Sequence, residues 1–242
     1  MNHKTILLLL LLTATAGFAQ KAPQQALDMS IKAGVNVGGA SPRGIPAEVR
    51  EIKTFSLILS PCIAADAVYW LTPKWGAGAG LCLERKRMAT TANVKEYAMQ
   101  LGGLHGAFTG DVQAKVSNSY LSIPLLAHYR ASASLNLRAG FYYAYLTAPS
   151  FTGEAYDGQF RTGPSGQEVN MDMREPSAYA FSNELNRHDF GLSGGVEWQP
   201  YRHVTAGLDL TWGLRPIFPS DFTGIGMTMY NVYSKWSVGY RF

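Results

Sequence analysis

The sequence predicts an all-β fold, an eight-stranded antiparallel up-and-down transmembrane β-barrel. Three features predict it. Apolar and polar residues alternate with a period of two over long segments, short and long connections alternate between those segments, and aromatic residues concentrate at segment ends. A tilted strand needs about 9–11 residues to cross a bilayer. Strands of soluble proteins usually run about 5–6 residues, so the length of the periodic segments favours a membrane barrel.

The first segment, 27–38, shows this period most clearly. Apolar Leu27, Met29 and Ile31 alternate with polar Asp28 and Lys32, and the alternation continues to residue 38. Successive side chains of a strand point to opposite faces, so the segment presents one apolar and one polar face.

Seven further segments repeat the pattern, and their polar faces are rich in glycine and in charges of both signs. An even strand number places both termini on one side, which we predict to be the periplasmic side. A soluble eight-stranded barrel would be apolar inside and polar outside, and the period alone does not separate the two. The seven segments are 55–69, 75–86, 121–130, 135–145, 189–198, 203–215 and 232–242.

The connections alternate strictly in length. Short turns are expected near residues 72, 132 and 200, and long loops at 39–53, 88–116, 149–186 and 216–230. In bacterial outer-membrane barrels the short turns face the periplasm and the long loops face outward. We therefore expect the four long loops to be extracellular.

Aromatic residues lie where two membrane-interface girdles are expected. One group lies beside the short turns and the C-terminus, and the other lies toward the long loops. The first group is Tyr69, Trp75, Tyr129, Trp198, Tyr240 and Phe242, and the second is Phe55, Tyr143, Tyr145 and Trp212.

The N-terminus predicts an export signal over residues 1–19. His3 and Lys4 form a basic start, residues 6–12 are an unbroken apolar run, and small residues precede a cleavage site after Ala19. The run is too short for a membrane-spanning helix, which needs about 20 apolar residues. We therefore expect a barrel domain over 20–242, with outer-membrane lipid as its surroundings, no nucleic-acid partner and no cofactor.

Four pieces of sequence resemble the PorT-like outer-membrane β-barrel family. They are YLSIPLL (120–126), RAGFY (138–142), DFGLSGG (189–195) and SVGYRF (237–242). The resemblance implies an outer-membrane barrel, some of whose relatives are linked to protein secretion or surface display. It also implies that Tyr240 and Phe242 form the signal read by the barrel-assembly machinery. It supplies no catalytic residues.

Twelve charged residues fall on the inward face of the predicted strands. An eight-stranded barrel has an interior just wide enough for side chains to fill, so paired charges predict a plugged lumen. The alternative is a narrow ion path. The twelve are Lys32, Asp66, Glu84, Lys86, Arg130, Arg138, Asp189, Glu197, Asp209, Arg215, Lys235 and Arg241.

Cys62 and Cys82 are the two cysteines, and both have inward parity on neighbouring strands. If the hairpin turn centres on Thr72, they lie directly opposite each other, within reach of a disulfide. A register shift of one residue would separate them, so a disulfide and two free cysteines both stay open.

No arrangement of residues predicts catalysis or metal binding. His188 and Asp189 are adjacent on one strand and so point to opposite faces, and the other histidines lack metal spacing. We expect a structural or interaction barrel that acts through its extracellular loops on a surface or secretion-system protein. A narrow channel and a lipid-modifying enzyme are the alternatives.

Overall fold

A computed structural model of the chain describes residues 27–101, 104–162, 167–169 and 177–242. The predicted signal peptide, 1–19, lies outside the described residues. The described part contains one 3₁₀ helix, Ser182–Glu184, and twelve strands. The strands are β1 (Leu27–Pro42), β2 (Val49–Leu57), β3 (Ser60–Trp70), β4 (Trp75–Leu101), β5 (Leu104–Arg130), β6 (Leu135–Ala148), β7 (Phe151–Thr162), β8 (Gln167–Val169), β9 (Ser177–Ala180), β10 (His188–Trp198), β11 (Val204–Pro216) and β12 (Met229–Arg241).

Eight of these strands close into a ring. The order is β1, β3, β4, β5, β6, β10, β11 and β12, and β12 pairs with β1 again, from Ser30 opposite Arg241 to Pro42 opposite Met229. Every pairing in the ring is antiparallel. The predicted eight-stranded antiparallel barrel is therefore confirmed, and its last strand closes against its first.

The two faces of the barrel wall have opposite character. Leu27, Met29 and Ile31 on β1 are 58%, 53% and 56% exposed, whereas Lys32 is buried in the interior. Apolar side chains cover the outside of the other ring strands in the same way, among them Leu81, Phe141 and Trp236. An apolar exterior around a polar interior is the arrangement that a barrel needs in lipid.

The second predicted strand, 55–69, is not continuous, which corrects the sequence-based boundary. β2 ends at Leu57, and β3 begins at Ser60. Among the described residues, β3 pairs with β1 only as far as Ser60 opposite Asn36, whereas β2 pairs with β4 alone. The outward apolar residues keep the same parity on both sides of the break, so the period of two does not reveal it.

The long connections are also not simple loops. β4 and β5 run 27 residues each and form one extended hairpin, so most of 88–116 is strand. Within 149–186, β7 pairs with β5, and both β8 and β9 pair with β7. We call the described parts of 39–57, 88–116, 149–187 and 216–229 the head, because together they continue the sheet beyond one end of the barrel.

Irregularities in the backbone interrupt the alternation of the head strands, so a period of two in the sequence does not reveal them. Glu96 and Asp157 adopt left-handed backbone conformations, with φ of 53° and 49°. The β4–β5 register shifts between Val94 and Tyr97, so buried side chains change from even to odd positions there. A bulge of this kind inserts a residue into one strand and interrupts the alternation.

The head has its own hydrophobic core, which adjoins the polar barrel interior. Aromatic contacts tie its elements together. The ring centroids of Phe218 and Phe222 are 4.5 Å apart, and those of Phe151 and Phe218 are 5.0 Å apart. The core includes Val94, Tyr97, Met99, Phe108, Phe151, Phe160, Tyr179, Phe181, Ile217 and Phe218.

Within the described residues, no helix has both the length and the apolar character needed to cross a membrane.

Candidate functional site

The interior of the barrel is occupied by three groups of charged and polar side chains. They follow one another along the barrel axis, from the short-turn end to the head. The alternation of each strand directs these side chains inward, and the register of the ring sets which of them meet.

The middle group is centred on Glu197 of β10. Its carboxylate lies 2.6 Å from Lys32 Nζ and 2.8 Å from Arg138 Nη1, and it also pairs with Arg241. Lys32 bridges onward to Asp66 Oδ2 at 2.8 Å. One carboxylate therefore holds three cations that come from β1, β6 and β12.

Arg138 makes a second, two-pronged contact. Its Nε lies 2.6 Å from Asp209 Oδ1, and its Nη2 lies 2.7 Å from Asp209 Oδ2. Paired N–H donors facing two carboxylate oxygens form a strong and geometrically specific arrangement. This contact fixes β6 against β11 across the interior, because the two strands are not neighbours in the ring.

The group nearest the head is centred on Glu84 of β4. Lys235 Nζ lies 2.9 Å and Lys86 Nζ 3.6 Å from its carboxylate oxygens. Ser122 Oγ donates a hydrogen bond of 2.7 Å to it, and Asn36 Nδ2 donates one of 3.1 Å. Both oxygens of this buried carboxylate are therefore satisfied, as burial of a charge requires.

Lys86 lies in a cage of three tyrosines. Its Nζ is 5.0, 5.2 and 5.5 Å from the ring centroids of Tyr120, Tyr142 and Tyr233. Asp189 Oδ2 is 3.9 Å away. Aromatic faces attract a cation within about 6 Å. The cage closes the lumen where the barrel meets the core of the head.

The third group closes the short-turn end around Asp28. Trp70 Nε1 donates a 2.7 Å hydrogen bond to Asp28 Oδ2, and Arg130 Nη2 lies 3.5 Å from the same oxygen. The Arg130 guanidinium carbon is 3.6 Å from the Trp70 ring centroid. Arg241 Nη1, 3.9 Å from Asp28, connects this group to Glu197.

The structure brings ten of the twelve predicted interior charges into the two inner groups. They are Lys32, Asp66, Glu84, Lys86, Arg138, Asp189, Glu197, Asp209, Lys235 and Arg241. Arg130 lies at the short-turn end, as just described. Arg215 lies at the other rim, where its Nη2 is 3.2 Å from Asn186 Oδ1.

The two cysteines are not opposed, which corrects the predicted register. The β3–β4 hairpin pairs Cys62 with Glu84 and Cys82 with Ala64. Its turn is therefore centred one residue later than Thr72, and that shift moves the two sulfurs out of a facing pair. Both cysteines are buried and free, and Cys82 Sγ lies 3.2 Å from Lys235 Nζ.

Sequence reasoning missed Asp28 and the tyrosine cage. Asp28 has inward parity within the first strand, so the alternation itself could have identified it. Tyr142 and Tyr233 also have inward parity, but their convergence on Lys86 depends on the register between non-adjacent strands. No pattern within a single segment encodes that register.

Little space is left among these side chains. A cavity of about 50 Å³ lies between Cys62, Cys82 and Lys235, and one of about 10 Å³ lies beside His128. A water molecule needs roughly 10–15 Å³. Each cavity therefore has room for at most a few water molecules.

His188 and Asp189 lie on opposite faces of the barrel wall, as their adjacent positions on one strand predict. Asp189 points into the interior, where Tyr142 and Asn231 donate hydrogen bonds to its carboxylate. His188 is outside, with its Nδ1 2.7 Å from the Tyr143 hydroxyl oxygen. Among the described residues, no group of three His, Cys, Asp or Glu side chains could hold a metal ion.

Tyr240 and Phe242 lie on the outer face at the short-turn end. Their ring centroids are 5.2 Å apart, and Tyr240 also stacks on His203. Phe242 is exposed, and its backbone N–H donates to the Met29 carbonyl at 3.0 Å, which extends the closing β1–β12 pairing to the last residue.

A closed ring of eight strands with an apolar exterior and a charged interior defines a transmembrane β-barrel. The sequence agrees: the chain belongs to the outer membrane protein beta-barrel domain family, whose sequence model matches residues 18–219. This membership places the protein in the outer membrane of a Gram-negative bacterium. The match is to this broad family and not to the PorT-like group in particular. No curated protein matches the chain in sequence.

Solved outer-membrane barrels have a remotely similar architecture. The Ail protein of Yersinia pestis is 10% identical with a TM-score of 0.38, over 89% of this chain and 99% of Ail. E. coli outer membrane protein W is 14% identical with a TM-score of 0.38, over 91% and 100%. OprG of Pseudomonas aeruginosa is 15% identical with a TM-score of 0.36, over 90% and 97%. At this distance the similarity says nothing about function.

Proposed function

We propose that this outer-membrane protein is a non-conducting barrel that anchors the head at the cell surface for interaction with another macromolecule. The observation that carries the proposal is the filled interior. Three charge groups, one of which contains the caged Lys86, occupy the axis along which a solute would have to pass. The role is structural and not catalytic.

The energetics of the interior support this reading. Each charge in the two inner groups has opposite-charge or hydrogen-bonding partners, so moving a side chain aside would leave buried charge uncompensated. A path along the axis would require several such pairs to separate together. Conduction is therefore expected to be negligible at rest.

We further propose that the head is extracellular and that both termini are periplasmic. The support is the strict alternation of short turns with long connections, which in bacterial outer-membrane barrels face the periplasm and the exterior respectively. A membrane-impermeant maleimide applied to intact cells should then react with Thr223→Cys and not with Ser132→Cys.

The partner that we propose is a protein of the cell surface or of a secretion system. The PorT-like resemblance motivates this choice, because some members of that group are linked to secretion or surface display. The head also exposes large apolar side chains away from the barrel wall, including Ile45 at 58% and Leu104 at 47%. These are the positions at which we expect a partner to make contact.

Site-specific photo-crosslinking in living cells tests the proposal. Benzoylphenylalanine at Leu104 or Ile45 should give a discrete cross-linked protein band, and a third variant at Leu81, on the outer wall of β4, provides the matched control. Leu81 is similarly exposed at 50% but faces lipid. Identical patterns from all three positions, or no protein adduct from the head, would contradict the interaction role.

We also propose that Tyr240 and Phe242 are read by the barrel-assembly machinery. The family resemblance suggests this role, and the outward position of both rings at the end of β12 supports it.

A further inference from the structure

The barrel wall has a seam next to the head. β1 pairs with β3 only up to Asn36, while its last residues, 38–42, still pair with β12 on the other side. β2 pairs with β4 along one edge. In the described part of the chain no ladder joins β1 to β2, so two strand edges face each other without pairing.

The contacts across the seam are side-chain contacts. The Ala40 N–H, which would donate to a neighbouring strand in a complete wall, instead donates to Met88 Sδ at 2.9 Å. Sulfur is a weak acceptor, so this hydrogen bond is weaker than one to the carbonyl oxygen of a neighbouring strand would be. A Cβ added at Gly39 would lie 2.9 Å from Phe55 Cζ, which places the Phe55 ring directly over the β1 backbone.

Behind the seam lies a cavity of about 370 Å³. Sites for small molecules usually measure about 300–1,000 Å³ and are mostly apolar. Four methionines line this one, Met88, Met99, Met227 and Met229, together with aliphatic residues such as Val94 and Val112. No charged side chain is among its lining residues.

This lining selects the class of ligand. Without a cation or a carboxylate in the wall, a charged ligand would be desolvated and left unpaired, which is costly. Methionine is unbranched and flexible, so a methionine-rich wall adapts to chains of different shape. The chemistry therefore suits an uncharged molecule with an aliphatic chain.

The seam opens at the level of the membrane interface. Gly39 lies opposite Val232, and Val232 lies opposite Trp212, one of the aromatic residues of the girdle toward the head. Trp212 and Phe55 are both exposed on the outer surface. An apolar molecule concentrated in the outer leaflet would thus meet the opening from the side, without passing along the filled axis.

We propose that the cavity binds a small uncharged molecule through its aliphatic chain, and that the molecule enters from the membrane between β1 and β2. β2 is suited to act as the movable wall, because it is exposed on both faces and, in the part of the chain that the structure describes, is paired along one edge only. This inference does not depend on the proposed surface partner, since neither the seam nor the cavity requires one.

Photolabelling of the refolded protein in phosphatidylcholine vesicles provides the test, with a diazirine derivative of dodecanol as probe. Peptides that contain Met88, Met99 and Met229 should be labelled saturably, and an excess of unlabelled dodecanol should remove that label. Peptides from the outer wall should show only labelling that rises linearly with probe concentration. A diazirine-bearing phosphatidylcholine should label the outer wall alone, since the uncharged lining has no partner for the phosphate and the ammonium group of its headgroup.

Variants that fill the cavity separate binding from general partition into lipid. Ala92→Phe and Ala114→Phe each add a ring inside the cavity, and they are expected to weaken saturable labelling at least about ten-fold, equivalent to roughly 1.4 kcal/mol of binding. The matched control, Ala79→Phe, adds the same ring on the lipid-facing side of β4 and should label as the wild type does.

Several results would overturn the inference. They are linear labelling throughout the wild-type protein, equal saturable labelling in all four proteins, and labelling of the cavity peptides by the phospholipid as strongly as by the alcohol. The wild-type competition result decides the matter even if one filled variant does not fold, and heat-modifiable migration on gels reports folding of each variant.

Discussion

Glu197 is the residue that holds the middle charge group of the interior together. It holds Lys32, Arg138 and Arg241, which come from three different strands. A buried pair contributes little when complete, because desolvation offsets the attraction, but removal of one partner leaves buried charge without compensation. The importance of Glu197 therefore lies in what its loss would expose.

Glu197→Ala is expected to destabilise the barrel by about 3–5 kcal/mol, the cost of breaking a buried charge pair. Urea unfolding of the refolded protein in lipid vesicles measures the change. Glu51→Ala on the exposed strand β2 is the control, and a surface substitution of this kind should stay within about 0.5 kcal/mol. Similar effects of the two substitutions would show that the interior network is not tightly coupled.

Asp111 is a buried carboxylate in the head. Lys53 Nζ lies 2.6 Å from Asp111 Oδ2, and Asn93 Nδ2 donates a 2.7 Å hydrogen bond to Asp111 Oδ1. Burial raises the pKa of Asp111, but the hydrogen bonds from Lys53 and Asn93 outweigh burial and lower the pKa below its usual value. The ion pair connects β2 to β5.

Because its pKa is lowered on folding, Asp111 adds stability above its unfolded pKa of about 3.9 and loses that contribution as the pH falls below it. The urea midpoint of unfolding at pH 7 should therefore be higher for the wild type than for Asp111→Asn. The difference between the two midpoints should shrink as the pH is lowered below about 4. A difference that stays constant from pH 7 to pH 3 would contradict this assignment.

Among the secondary-structure elements, β2 stands apart from the ring strands. Its residues are exposed on both faces, and its ladder with β4 shifts register twice, between Val49 and Glu51 and between Ile52 and Thr54. Few buried contacts and exposed hydrogen bonds are the features of segments that open locally at low free energy.

Amide hydrogen exchange should therefore be faster in β2 than in β3, although the two strands are separated by only two residues. Mass spectrometry of peptides from Val49–Leu57 and Ser60–Trp70 makes the comparison within one sample. Equal protection of the two strands would mean that the seam is closed in the membrane, and the proposed lateral entry would fail with it.

The barrel strands were predictable from the sequence because each has to satisfy two environments at once. Lipid on one face and a filled interior on the other impose the period of two, as on β1, where Ile31 faces out and Lys32 faces in. The strands of the head do not follow this period of two. Its strands bury apolar residues against one another, and bulges at Glu96 and Asp157 change the parity within a strand.

The interior site was predictable as a set of residues but not as a set of contacts. Inward parity identified Arg138, Glu197 and Asp209. The contact of Arg138 on β6 with Asp209 on β11 across the lumen, however, follows from closure of the ring. The same limit applies to Cys62 and Cys82, where a shift of one residue in a turn decided between two structures.

For the whole molecule, the proposed assembly signal at Phe242 relates folding to delivery to the membrane. Phe242 completes the β1–β12 closure and lies outside beside Tyr240. If its apolar area alone matters, deleting it should cost roughly 1.5–3 kcal/mol and leave a folded barrel. If it is an assembly signal, we expect protease-sensitive chain in the periplasm and little protein in the outer membrane.

Immunoblots of membrane fractions compare the Phe242 deletion with the wild type, and Phe242→Tyr serves as the matched control that keeps a terminal ring. We predict loss of outer-membrane protein for the deletion only. Normal levels of the deletion, with unchanged heat-modifiable migration, would show that the machinery does not need this residue.

We propose that the lumen is closed along the whole barrel axis, and planar-bilayer conductance tests that proposal most directly. The wild type should give no stepwise openings, whereas Arg138→Ala/Asp209→Ala, which removes one balanced pair from the middle of the lumen, should begin to conduct. Discrete and reproducible unit openings from the wild-type protein would contradict the filled lumen and, with it, the proposal of a non-conducting anchor.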